Sequence, residues 1–130
     1  MQTVHDFLKK TDTYYLATVD GDQPRVRPFG TINLFEGKLY IQTGKKKEVA
    51  KQISDNPKVE LTAFDGKDWL RVAATLVEDN RPEAQDSLLA AYPELRNIPA
   101  VKEGSSVVYY LKDAVATFYS FSGEPKEIRF

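Results

Sequence analysis

The sequence contains no cysteine and a single histidine among its 130 residues. The absence of cysteine excludes disulfides, zinc fingers and thiol chemistry. A histidine-based metal site or a Ser-His-Asp triad would have to use His5, which lies near the N-terminus, and a solvated helix residue is the favoured interpretation of it. No stretch approaches the roughly 18 apolar residues that a membrane helix needs.

The N-terminus also lacks the features of a signal peptide, because its first ten residues include an acid and no long apolar run. We therefore expect a cytoplasmic protein with no membrane partner. The formal net charge of −1 argues against a general nucleic-acid binder. With 42% hydrophobic and 12% aromatic residues, the chain is expected to form one domain over residues 1–130 with its own core.

Hydrophobic spacing and turn residues predict an α+β fold. Asp20-Gly21 is a strong hairpin signal, and Asn56-Pro57 should end a helix. Two or three short helices are expected at residues 1–11, 46–56 and 81–92. About seven mostly antiparallel strands are expected, two within residues 13–34 and the others at 38–43, 58–64, 68–79, 105–111 and 114–121. Short strands with regular turns indicate a closed or nearly closed barrel, here a split β-barrel of about six to seven strands.

Basic side chains concentrate in one part of the chain. Residues 25–51 hold seven Lys and Arg and two acids, a balance of +5 in a chain of net charge −1. Lys45, Lys46 and Lys47 lie where the helix over 46–56 should begin. Helix N-termini carry positive partial charge and favour acids, so three lysines there indicate a bound anion such as phosphate. A solvated charge run is the alternative.

The glycines near this run do not fit the common nucleotide motifs. A P-loop has the spacing G-x-x-x-x-G-K-[ST], whereas Gly37 and Gly44 are seven residues apart. No G-x-G-x-x-G occurs in the sequence, so a Rossmann dinucleotide site is not expected. Any phosphate site here must have another geometry.

The segment PRVRPFG, residues 24–30, is a second candidate for anion binding. Arg25 and Arg27 should point to the same face of a strand, and an arginine can hold a phosphate or a ring carbonyl through two N–H groups. Pro28 removes one backbone donor, so we expect a locally irregular strand. Gly30 lets a ligand approach the backbone closely. Two surface arginines on an edge strand are the alternative.

Taken together, these segments resemble the pyridoxamine 5′-phosphate oxidase-like FMN-binding split-barrel family, in particular its small bacterial general-stress-protein-like members. The shared pattern is PRVRPFG, a strand ending in QTG, a lysine cluster that opens a helix, and NPKVEL after that helix. DGKDWLRV and the closing DAVATFYSFSGEPKEIRF are similar as well. The resemblance implies a split barrel and a homodimer with FMN at the subunit interface, where Phe118, Tyr119 and Phe121 could be hidden.

The resemblance also implies cofactor-binding residues. Arg27 would contact the flavin or its phosphate, and Lys47 would bind the phosphate with help from Lys45 or Lys46. Trp69 falls where relatives place a glutamine that contacts the ring, with ordinary barrel packing as the alternative. No catalytic residue and no metal site are assigned. The full implied set is Arg27, Pro28, Phe29, Gly30, Gln42, Thr43, Lys45, Lys46, Lys47 and Trp69.

The function implied by the resemblance is that of an FMN-dependent oxidoreductase acting on a small molecule that the sequence does not identify. The alternatives are a flavin-binding store or sensor without turnover, and an F420- or haem-binding relative on the same barrel. True pyridoxamine phosphate oxidases carry an Arg-x-His pair in a longer C-terminal part. The only histidine here is His5, so vitamin B6 oxidation is not expected.

Overall fold

The computed structural model describes residues 1–121 and 123–130. The described residues form eight strands, four α-helices and a 3₁₀ helix at Pro93–Asn97. The α-helices are α1 (Gln2–Thr11), α2 (Glu48–Asp55), α3 (Pro82–Ala91) and α4 (Pro99–Lys102). The strands are β1 (Tyr14–Asp20), β2 (Gln23–Phe29), β3 (Asn33–Phe35), β4 (Lys38–Gly44), β5 (Lys58–Phe64), β6 (Trp69–Glu78), β7 (Ser106–Tyr119) and β8 (Lys126–Arg129).

The strands form one antiparallel sheet in the order β2-β1-β5-β6-β7-β4-β3. Strand β7 is long enough to serve two neighbours on one edge, with β4 along its first half and β8 along its second. On its other edge β7 pairs with β6, through a register shift between Ala73 and Thr75. Such an irregularity bends a strand, which suits a sheet that curls into a split barrel.

Buried and exposed residues alternate along the strands, so one face of the sheet packs into the core. In β5, Val59, Leu61 and Ala63 are buried while their neighbours are exposed. Helices α1 and α2 add their apolar faces to the same core. A smaller cluster under α3 consists of Tyr40, Ala84, Leu88 and Val108. It covers the face of β4 that points away from the main core, so β4 is buried on both faces. No helix in the described part of the chain is long and apolar enough to cross a membrane.

The predicted fold class is confirmed, and so are its local signals. Gly21 and Gly37 adopt positive φ values of 65° and 74° in tight turns, a conformation that glycine takes without strain. Helix α2 ends at Asp55, directly before the predicted Asn56-Pro57 stop. These positions were predictable because each depends on a dipeptide rather than on distant contacts.

Several details differ from the sequence predictions. Residues 13–34 were expected to form two strands, but a third strand, β3, begins within them at Asn33. An irregular strand was expected at Pro28, but β2 pairs with β1 without a register shift there. Residues 105–111 and 114–121 were expected to form two strands, but β7 runs through both because Asp113, at φ 52°, absorbs the irregularity within the strand. Strand β8 was not predicted, since its four residues include a single apolar side chain and give no alternation. The helical segment between Pro93 and Lys102 was also missed.

The turn between β5 and β6 makes the stability of the fold sensitive to acid. Asp65 Oδ1 accepts N–H bonds from Asp68 at 2.7 Å and Lys67 at 2.9 Å, and Oδ2 lies 3.0 Å from Lys10 Nζ. These bonds, led by that from Asp68, lower the pKa of Asp65 to about 2. An aspartate in an unfolded chain has a pKa of about 3.9. The turn therefore stabilises the fold fully above about pH 5 and loses this effect as the pH falls through about 2.

We expect Asp65→Asn to be less stable than the wild type at neutral pH, with a difference that shrinks as the pH falls from about 5 to 2. The physical reason is that the variant lacks the charge that the fold favours. Thermal melts of both proteins across this range measure the effect. A stability difference that stays constant with pH would contradict the role given to this carboxylate.

Candidate functional site

Six of the ten sequence-predicted site residues line a single cavity. It has a volume of about 380 Å³ and lies between the ends of β2 and β4, the start of α2 and the segment that follows α3. The six residues are Pro28, Phe29, Gly30, Gln42, Thr43 and Lys47. Two strand ends and a helix start, distant in sequence, therefore meet at one place.

The turn after β2 is fixed by neighbouring strands. The buried Tyr14 hydroxyl donates to the Thr31 carbonyl at 2.6 Å, and the Gln42 backbone N–H donates to Thr31 Oγ1 at 3.1 Å. Burial raises the pKa of Tyr14 well above its usual value, so this hydroxyl stays a donor. Pro28, Phe29 and Gly30 thus line the cavity next to a turn that neighbouring strands hold in place.

Lys47 lies at the opposite side of the cavity, where β4 passes into α2. It is the N-cap residue of α2, and its backbone N–H donates to the Gly44 carbonyl at 3.1 Å. Its side chain passes close to Gly44, where an added Cβ would be 3.7 Å from Lys47 Cγ. Lys47 forms no ion pair with any described residue. Lys47 therefore contributes an exposed lysine to the lining of the cavity, beside the N-terminus of α2.

The other two lysines point elsewhere. Lys45 lines a separate surface cleft with Arg81 and Asp86, and its backbone N–H donates to the Ser105 carbonyl at 2.6 Å. Lys46 Nζ lies 3.1 Å from Glu103 Oε1. Consecutive residues of a turn project in different directions, so the lysine run does not form one cluster.

Arg27 does not line the cavity but joins the elements that build it. Its Nη1 donates to Thr18 Oγ1 at 2.8 Å, and its Nη2 donates to Gln52 Oε1 at 2.7 Å. The Thr18 hydroxyl donates to the same Gln52 oxygen at 2.6 Å. Burial, and secondarily the charge of Arg25, lowers the pKa of Arg27. The network links β1, β2 and α2.

Trp69 lies on a different surface, the outer face of β1, β2, β5 and β6. Its ring stacks on Tyr119 at 5.3 Å between centroids, with an interplanar angle of 10°, and contacts Phe121 at 5.4 Å. Nearby apolar side chains are exposed, among them Val26 at 68% and Phe64 at 58%. We call this surface the exposed sheet face, defined by Tyr15, Val26, Phe64, Trp69 and Phe121.

The two other aromatic residues expected at an interface divide between the core and this surface. Phe118 packs edge-on against Phe7 at 5.6 Å and is partly buried against the main core. Tyr119 stacks on Trp69 at the border of the exposed sheet face. Core packing therefore accounts for Phe118, whereas Tyr119 and Phe121 remain available to a partner.

One wall of the cavity was not predicted from the sequence. The segment after α3 contributes half-buried side chains to the cavity, while the residues between them are mostly exposed. The wall residues are Tyr92, Leu95, Ile98 and Ala100. The signals that could have located it are Pro93 and Pro99, which each open a short helix.

Within residues 1–121 and 123–130, no group of three or more His, Asp and Glu side chains is arranged to hold a metal ion. The cavity is lined by one lysine, by hydroxyl and amide groups, by apolar side chains from Phe29, Leu95 and Ile98, and by the acids Asp12 and Glu94. The part of the lining around Lys47 and Thr43 suits the anionic group of an organic ligand, and the apolar side chains suit its body.

The sequence profile described as pyridoxamine 5′-phosphate oxidase matches residues 1–118. The chain belongs to the pyridoxamine 5′-phosphate oxidase family. This membership confirms the family resemblance seen in the sequence. No curated protein matches the chain.

Solved structures agree with this family assignment. A NimC/NimA family protein from Clostridium acetobutylicum is 40% identical, with a TM-score of 0.95, and the match covers 100% of this chain and 92% of that one. General Stress Protein 26 from Bacillus anthracis is 16% identical, with a TM-score of 0.74 over 99% of this chain and 98% of its own. A haem-binding protein from Mycobacterium smegmatis is 13% identical, with a TM-score of 0.74 over 96% of this chain and 57% of that one. The last two likenesses concern the fold alone.

The position of Arg27 in this family member gives a prediction about Gln52. We expect Gln52→Leu to destabilise the fold by about 1–3 kcal/mol, because it leaves the Thr18 hydroxyl and Arg27 Nη2 without the oxygen that accepts from both. Gln52→Glu keeps an acceptor oxygen and should lose less. Urea denaturation measures both variants. As a control, Gln23→Leu makes the same substitution at an exposed position of β2 and should change stability by no more than about 0.5 kcal/mol; equal losses at both sites would contradict the network's importance.

Proposed function

We propose that this protein is a homodimeric FMN-binding flavoprotein and acts as an FMN-dependent oxidoreductase on a small molecule. The observation that carries the proposal is the cavity that Thr43, Gly44 and Lys47 line together with Pro28, Phe29 and Gly30. Family membership supports it, since this fold is used by flavin- and haem-binding proteins. A flavin store without turnover would use the same cavity.

The Lys47 side of the cavity suits the FMN phosphate. Phosphate groups bind well at helix N-termini, where backbone N–H groups and the helix dipole both favour an anion. Lys47 adds a full positive charge there, and Thr43 adds a hydroxyl. Gln42 lines the same region, with its side-chain amide donating to Ser106 Oγ at 2.9 Å. In this assignment Lys45 and Lys46 contribute positive charge near the site rather than direct contacts.

The opposite side of the cavity suits the flavin ring. Pro28, Phe29 and Gly30 present a strand end with few protruding polar groups, and Leu95 and Ile98 face it with apolar side chains. A flat aromatic ring is well accommodated between such surfaces. Arg27 belongs to the proposed site although it does not line the cavity. Its guanidinium bonds β2 to α2 and so fixes the ring side of the cavity relative to the phosphate side.

When bound, FMN supplies the electron-transfer chemistry, and the protein binds, orients and shields it. In this chain, Lys47 and the start of α2 would hold the phosphate, and the β2 backbone would orient the ring. His5, the sole histidine, bonds to Asp6 on α1 and does not line the cavity. A haem held by histidine therefore receives no support from the cavity.

The exposed sheet face supports the homodimer. Exposed apolar patches of this kind mark interaction surfaces, and a two-fold axis would pair the face with itself. Trp69 lies outside the cavity of its own protomer. We propose that Trp69 of a second copy borders the flavin, so that the two protomers complete each site.

The phosphate assignment predicts a selective effect of Lys47→Ala. We expect FMN affinity to fall by about 10- to 150-fold, because a charge-assisted contact worth about 1.5–3 kcal/mol is lost. Riboflavin, which has no phosphate, should bind wild type and variant equally. Titration by flavin fluorescence measures both ligands.

Lys45→Ala is the matched control. It removes the same charge only two residues from Lys47, but the Lys45 side chain lines a different cleft. It should change FMN affinity far less. Equal effects of the two substitutions, or an equal loss for riboflavin, would contradict a phosphate contact at Lys47. Wild-type protein that binds neither flavin would overturn the proposed function itself.

The dimer assignment predicts that Val26→Lys and Phe64→Lys separate the protomers. Each introduces a charge into the exposed sheet face, and desolvating it at an interface is unfavourable. Light scattering should give a mass near 14.7 kDa for the variants and twice that for the wild type. Glu83→Lys on the exposed side of α3 adds a lysine elsewhere and should remain dimeric. A monomeric wild type with full FMN occupancy would refute this arrangement.

A further inference from the structure

The wall from Tyr92 to Ala100 covers one side of the cavity, although its own helices are very short. The 3₁₀ helix has five residues and α4 has four. Isolated helices of this length are not stable in water. The wall must therefore be held in place by contacts with the rest of the protein, and these contacts occur at its two ends.

At its first end the wall is held by Tyr92. The Ile32 backbone N–H donates to Tyr92 Oη at 3.0 Å, and the Tyr92 hydroxyl donates to the Ile32 carbonyl at 3.1 Å. One hydroxyl thus bonds both polar groups of a residue in the turn after β2. Lys9 Nζ lies 4.3 Å from the centre of the Tyr92 ring and 3.3 Å from its hydroxyl.

At its second end the wall is held to the β4–α2 turn. Ala100 packs against Gly44, where an added Cβ would lie 3.6 Å from Ala100 Cβ. Just beyond, the Ser105 carbonyl accepts the Lys45 backbone N–H at 2.6 Å, and Glu103 forms its ion pair with Lys46 at 3.1 Å. The Ser105 hydroxyl donates to the same Glu103 oxygen at 2.6 Å and so orients the carboxylate.

We propose that the wall from Tyr92 to Ala100 retains the flavin in its cavity, and that Tyr92 and Lys46 are positioning residues that hold the wall at its two ends. The inference rests on the proposed function. Tyr92 connects the wall to the strand end that would face the ring, and Lys46 connects it to the turn that would face the phosphate. Lys46 therefore acts on Glu103 and not on the phosphate.

The first test compares two tyrosine-to-phenylalanine variants of the full chain loaded with FMN. Tyr92→Phe keeps the ring and removes both bonds to Ile32, so FMN should dissociate about five- to twentyfold faster. Tyr40→Phe is the control, because its hydroxyl donates to Asp79 at 2.8 Å outside the cavity. It should lower the melting temperature and leave FMN dissociation unchanged. Fluorescence recovery on dilution gives both rates.

Amide hydrogen exchange in the FMN-free protein provides a second readout. Residues 93–100 should exchange faster in Tyr92→Phe than in the wild type or in Tyr40→Phe. If the wild type binds FMN and Tyr92→Phe matches Tyr40→Phe in both measurements, the retaining role of the wall is wrong. If the wild type does not bind FMN, the proposed function fails and this inference fails with it.

A charge exchange tests the other end. Lys46→Glu should speed FMN release by about two- to fivefold, as expected for loss of an exposed ion pair. Combining it with Glu103→Lys rebuilds the pair with the same net charge and should restore the wild-type rate. If the double variant stays as fast as the single one, Lys46 acts on the phosphate directly and its positioning role is refuted.

Discussion

The geometry of the cavity depends on one buried oxygen, Gln52 Oε1. It accepts hydrogen bonds from the Thr18 hydroxyl at 2.6 Å and from Arg27 Nη2 at 2.7 Å, and so joins β1, β2 and α2 at a single point. Strand β2 continues into the Pro28 side of the cavity, and α2 begins at Lys47. Because removal of the oxygen would leave two partly buried donors without an acceptor, the separation of the two sides is strongly fixed.

The turn after β2, which contains Thr31 and Ile32, is held in place by other groups of the protein. The polar groups of Thr31 and Ile32 are bonded to Tyr14, Gln42 and Tyr92. Buried backbone groups need such partners, and here the protein provides them before any ligand arrives. A preorganised cavity loses less conformational entropy on binding. Lys46 is likewise bound by a protein group, because it pairs with Glu103. Lys47 is then the one lysine of the run that lines the cavity.

Much of the fold could be predicted from the sequence, because strand alternation and turn dipeptides such as the one at Gly21 act locally. The part of the cavity formed by strand ends and by the start of α2 was predictable, because there the position of the backbone determines which residues lie together. The directions in which long side chains point were not predictable. Lys46 and Lys47 are adjacent, yet Lys46 pairs with Glu103 whereas Lys47 lines the cavity. Arg27 meets Gln52, which lies 25 positions away in the sequence. Such choices depend on tertiary contacts that no local pattern contains.

The positions of Lys47 and Trp69 have a consequence for the proposed dimer. Lys47 lines the cavity, whereas Trp69 lies on the exposed sheet face of the same protomer and outside that cavity. A flavin that contacts both residues must therefore contact two protomers. A ligand that binds the dimer better than the monomer stabilises the dimer by mass action. By reciprocity, association of the protomers in the proposed dimer would raise flavin affinity by the same free energy. Cofactor loading and assembly would then be one linked equilibrium.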